Sequence, residues 1–129
     1  MLPEAGSPAD WLRIARSDLA LAWIPLQGEI LRETLCFHAQ QAVEKSLKAV
    51  LLEVGVAFPR THSIERLIDL LPEQILRAPF LRESAKLTIY ATAFRYPGEE
   101  EALTESEYQE ALRLAEEVVC WAGVQISRK

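Results

Sequence analysis

Thr34, His38, Gln41, Lys45 and Lys48 follow one another at steps of four, three, four and three residues. At about 100° per residue that rhythm puts them on one line of a helix. An imidazole and two ammonium groups stacked along a line can meet an anionic ligand, so the stripe is a candidate seam lining a groove. The plain alternative is a solvated face, which charge runs on helices usually are. Further along, Arg95 and Tyr96 would add a guanidinium for a phosphate and a ring for a base if they reached the same groove. His38, Lys45, Lys48, Arg95 and Tyr96 together suit a nucleotide or a single-stranded RNA end better than a duplex. Otherwise these side chains only cap helices and neutralise neighbouring glutamates.

Two further polar residues stand out. Asp18 falls inside the arc made by Trp11, Leu12, Ala15, Leu19 and Ala22 rather than on the side of Arg13 and Arg16. A carboxylate there must find a cation, because an unpaired buried charge is costly. Lys45, Lys48 and Arg95 are the candidates, and the pair would be either an interface salt bridge or an acid that positions a ligand-binding cation. His62, in a Pro-Arg-Thr-His turn, is expected to cap a helix or bond the backbone. It and His38 lack acids at ligand spacing, so no metal site is expected. No Walker loop, GxGxxG, GxSxG or HExxH is present, and no cofactor is expected.

The elements that position these residues are helices. Ser7-Pro8-Ala9-Asp10 gives an N-cap, a proline at the first position and an acid in the first turn of a helix reaching about Trp23, before Pro25. A second and longest helix spans about Arg32 to Val54, without Gly or Pro, and stops at Gly55. Ser63 caps a short third helix to Leu71. A fourth is expected from Pro79 to about Arg95, halted by Pro97 and Gly98. Thr104-Glu105-Ser106-Glu107 is a capping-box pattern. From it a fifth helix presents Tyr108, Ala111, Leu112, Ala115, Val118, Val119 and Ala122 on one face almost to the C-terminus. No strand pattern escapes these helices, so the fold class is all-α, an antiparallel bundle of four to five helices with short loops.

The chain has 129 residues, the size of one domain, and residues 1–129 are read as a single helical unit. With 14 Lys+Arg against 19 Asp+Glu it carries −5, which argues against coating of duplex DNA by phosphate neutralisation. The glutamates Glu99, Glu100, Glu101, Glu105 and Glu107 complement the dipole of the fifth helix and could attract a basic partner. Cys36 and Cys120 form neither a disulfide framework nor a zinc module. The charged N-terminus lacks the apolar core of a signal or anchor, and the run from Leu19 to Gly28 is far short of the roughly 20 residues that span a bilayer. A cytoplasmic protein without membrane contact is expected. Apolar residues cover roughly 200° of the second helix, more than one small bundle is expected to hide, and a homodimer would bury the excess.

The segment FHAQQAVEKSLKAVL, Phe37 to Leu51, followed by PRTHSIERL from Pro59 and preceded by ARSDL at Ala15 to Leu19, resembles the prokaryotic HEPN domain. FRYPG at Phe94 to Gly98 is similar to the loop between the last two helices in the branch encoded beside minimal nucleotidyltransferases. The likeness covers nearly the whole chain. It implies a HEPN-like bundle, often a homodimer, that acts on nucleotides or RNA with a minimal nucleotidyltransferase as partner, sometimes as a toxin–antitoxin pair. Nuclease members carry an Arg followed by four to six residues and a His near the start of the final long helix. Arg32 and His38 fit that count, which implies a metal-independent ribonuclease as an alternative, with imidazole handling the 2′-hydroxyl proton and guanidinium the phosphate. They lie instead at the entry of the second helix, and the fifth has no histidine. A purely structural homodimerisation module is the remaining alternative.

Overall fold

Local capping chemistry sets most of the helix ends. In the computed structural model, which describes residues 2–75, 78–91 and 103–127, α1 runs over Pro8–Ala22 behind Ser7, whose hydroxyl accepts from the Asp10 amide at 3.2 Å. Asp10 in turn accepts from the Gly6 amide and from Arg13, contacts that hold its carboxyl below the usual range. The longer α2, Arg32–Glu53, ends at Gly55, whose φ of +76° suits a residue without a side chain; the Val56 amide then closes on the Leu51 carbonyl at 2.9 Å. This is the left-handed glycine stop that the sequence implies. Ser63 caps α3, Ile64–Asp69, through the Arg66 amide. At α5, Glu105–Ser127, the capping box forms in both directions: Thr104 Oγ1 accepts from the Glu107 amide and Glu107 accepts from the Thr104 amide.

One expected helix is different. The α-helix that starts at Pro79 stops at Ser84 as α4, and the chain continues as a 3₁₀ helix over Ala85–Ala91. The Ser84 hydroxyl turns back onto the Leu81 carbonyl at 2.6 Å, and Thr88 Oγ1 accepts from the Ile64 amide at the start of α3. The Ser84 bond is the local competition that disfavours Ser inside helices, whereas the Thr88 bond reaches a backbone amide of another helix. Residues 92–95, expected as the last turn of this helix, lie outside the described residues.

Among the described residues there are helices and no strands, the all-α bundle expected. Helix α2 is its axis, packed against α1, α5, α3 and the 3₁₀ helix. Asp18 lies opposite the span from His38 to Lys45 while Trp11 lies by Lys48, so α1 runs antiparallel to α2. Arg32, at the start of α2, bonds the Leu103 carbonyl and Glu105 at the start of α5, so α2 and α5 begin at the same end. Leu35, Cys36, Ala39, Ala42, Val43, Leu47, Val50 and Leu51 are all buried within this single chain. The surplus apolar surface offered as the reason for a homodimer is therefore absent: α1, α5, α3 and the 3₁₀ helix already cover it.

Candidate functional site

Because α2 is surrounded, its polar residues are drawn to different neighbours rather than to one seam. His38 and Lys45 turn to α1. There, Asp18 accepts from Lys45 Nζ at 2.7 Å through Oδ2, and its Oδ1 lies 3.0 Å from His38 Nδ1. The buried acid thus has the lysine partner foreseen for it and an imidazole in addition. With the carboxylate ionised, the ring donates from Nδ1, and Nε2 has no partner among the described residues. The His38 and Lys45 side chains remain 27% and 23% exposed, and Phe37 stands edge-on to the imidazole with ring centroids 5.4 Å apart. This cluster is half-open: one carboxylate holds two potential cations in place at the protein surface.

Lys48 is not part of it. Its ammonium donates to Glu44 Oε2 at 2.8 Å and lies 5.7 Å from the ring centroids of both Trp11 and Phe58. The side chain is only 11% exposed. Glu44 Oε1 is 2.9 Å from His62 Nδ1 and also accepts from Gln40 Nε2 at 3.1 Å. Gln40 donates as well to the His62 carbonyl. Burial pushes the Glu44 carboxyl up, but hydrogen bonds from Lys48, His62 and Gln40 outweigh it and hold the group below the ordinary range. His62 therefore bonds a buried carboxylate, not the backbone, through its ring. The expected line of His38, Lys45 and Lys48 divides into two clusters, each a carboxylate bridging one imidazole and one lysine.

Glu44 and Gln40, both buried, went unread in the sequence. The signal was present: Gln40, Glu44 and Lys48 repeat every four residues, which stacks them on one helix face, with Glu and Lys in the favourable order. Arg32 and His38 are held by separate partners, Glu105 with the Leu103 carbonyl for one and Asp18 for the other. Arg95 and Tyr96 lie outside the described residues, as do Glu99, Glu100 and Glu101. No three metal-ligating side chains converge among the described residues, and no helix among them is long and apolar enough to cross a membrane.

Comparison with known proteins agrees with this architecture. The family profile of the HEPN domain matches residues 8–126. Among solved structures, the chain is similar to TT1696 from Thermus thermophilus, with 32% identity over 92% of this chain and 97% of that one, at a TM-score of 0.70. It is also similar to ST0689, described as an archaeal HEPN homologue, with 27% identity over 94% of this chain and 98% of that one, at a TM-score of 0.73. No curated protein matches.

Proposed function

Since the chain belongs to the HEPN domain family, we propose that it binds a nucleotide or a single-stranded RNA end at the half-open cluster of Asp18, His38 and Lys45, as the partner of a minimal nucleotidyltransferase in a toxin–antitoxin-like pair. The observation that carries the reading is the geometry of that cluster. A buried carboxylate fixes an imidazole at 3.0 Å and an ammonium at 2.7 Å while both keep about a quarter of their surface. Preorganised donors lose little freedom on meeting a phosphate, which is where such binding gains over a flexible surface lysine. When His38 is protonated the cluster counts two positive charges against one negative, so it receives an anion with net attraction. Asp18 acts as the positioning residue; Lys45 and His38 Nε2 are the groups offered to the ligand. Arg95 and Tyr96 remain part of the proposal on sequence grounds alone, and Lys48 leaves it because Glu44 and two rings enclose it.

The nucleotidyltransferase partner, the toxin–antitoxin role and a homodimer rest on the family resemblance. The ribonuclease alternative gains nothing from the geometry, because Arg32 and His38 serve different elements. Titration calorimetry with ATP and with short single-stranded RNAs, with and without a minimal nucleotidyltransferase from the native host, tests the proposal. Saturable binding that weakens with salt and is reduced by Lys45→Ala is the expected result, since phosphate contacts release counterions. No saturable binding in either state rejects it.

A further inference from the structure

Exposed large apolar residues are not spread evenly over this molecule. Leu21, Trp23, Ile24, Leu26 and Leu31 all fall in the short stretch that leaves α1 and enters α2. Leu31 is 59% and Trp23 45% exposed. The others, such as Leu52, Ile89 and Val124, sit on separate elements, and singly exposed apolar residues need no explanation. Such a grouping along one short stretch of chain does, because grouped apolar surface marks a contact site. The stretch is also ordered by its own hydrogen bonds: the Trp23 amide to the Leu19 carbonyl, Ile24 to Leu21, and Ile30 to Gln27. Its apolar side chains are thus presented on a fixed loop.

Among the described residues, the exposed charges near the patch are mostly acidic. Glu29 and Glu33 are exposed beside Leu31, and the Arg32 contact brings the exposed Glu105 and the first turn of α5, with Glu107, to the same end. Arg32, the cation among them, is engaged by Glu105 at 2.8 Å and by the Leu103 carbonyl. We infer that this end of the bundle is a docking surface for a basic, amphipathic segment of another protein, with Trp23 and Leu31 as apolar anchors and the glutamates as an acidic rim. A second copy of this chain is the poorer occupant, since an isologous contact through the patch would bring one acidic rim against another. The inference does not rest on phosphate binding at Asp18, His38 and Lys45, none of which is among the apolar anchors or the acidic rim.

Fluorescence anisotropy of a labelled amphipathic leucine–lysine peptide, titrated with the full chain, tests it. Saturable binding is expected, with no binding of the leucine–glutamate counterpart. Trp23→Ala and Leu31→Ala should each weaken it about tenfold, whereas Val124→Ala, at the opposite end of α5, should leave it unchanged. Glu29→Lys combined with Glu33→Lys alters only exposed positions and should shift preference toward the glutamate peptide, so a folding defect in the Trp23 variant does not decide the matter. Two outcomes overturn the inference: binding of the lysine peptide that is absent or indifferent to all of these changes, or a dimer, seen by light scattering, that dissociates on Trp23→Ala.

Discussion

Helix α2 carries two clusters built from the same three kinds of side chain, and they have different fates. In one, the buried Glu44 gathers Lys48 and Gln40 in the interior and His62 from the surface, with the lysine covered by Trp11 and Phe58. In the other, Asp18 gathers His38 and Lys45 at the edge of α1. The first ties the segment after α2 to the core: it holds both the ring and the carbonyl of His62. The second ties α1 to α2 and leaves its cations reachable. Residue type and spacing alone do not separate an enclosed triad from an open one; what closes over the lysine does.

The largest effect expected from breaking this comparison is on Glu44. Glu44→Ala strands Lys48 in the interior and removes the bonds to His62 and Gln40, and should cost on the order of 3 kcal/mol in denaturant unfolding. The same carboxyl predicts a pH dependence. Its folded-state pKa is lowered from 4.5, so the unfolded chain takes up the proton first as pH falls. The contribution of Glu44 is then complete above about pH 5.5 and declines as pH falls through the folded-state value. Glu44→Gln should flatten this part of the stability profile, and an unchanged profile would deny the carboxylate its central place.

Asp18→Ala comes next, at about 2 kcal/mol, because Lys45 and His38 can turn partly to water when their partner is lost. A loss below about 0.5 kcal/mol would class Asp18 with ordinary surface charges. The acid was legible in the sequence because a single charge interrupts an otherwise apolar arc on a two-sided helix. Glu44 was hidden by the opposite circumstance. A helical wheel with one polar stripe describes a helix at the surface, and α2 is enclosed by four elements, so polar residues lie all around it and the spacing groups Lys48 with residues of the other cluster. Helix ends fared better, since Ser7, Gly55, Ser63 and Thr104 act through local bonds that need no tertiary context. The break after Ser84 depends on Thr88 meeting the Ile64 amide across the fold, a contact with no local signature.

The smallest effects sharpen the contrast between the lysines. Lys48→Ala should lower stability by about 1–2 kcal/mol, because it leaves Glu44 short of a buried partner, and should leave nucleotide affinity unchanged. Lys45→Ala should do the reverse: a stability change under about 1 kcal/mol, as for a partly exposed ion pair, with a clear loss of affinity in calorimetry. Equal losses of affinity in the two variants would erase the distinction between the clusters.

The central claim, that the open cluster and not the closed one receives phosphate, is tested most directly by amide chemical-shift mapping of the protein titrated with ATP. The account predicts saturable shifts at Asp18, His38, Gln41 and Lys45, with Glu44, Lys48 and His62 unmoved. Shifts centred on Glu44, Lys48 and His62, or none at all under saturating ATP, would contradict it.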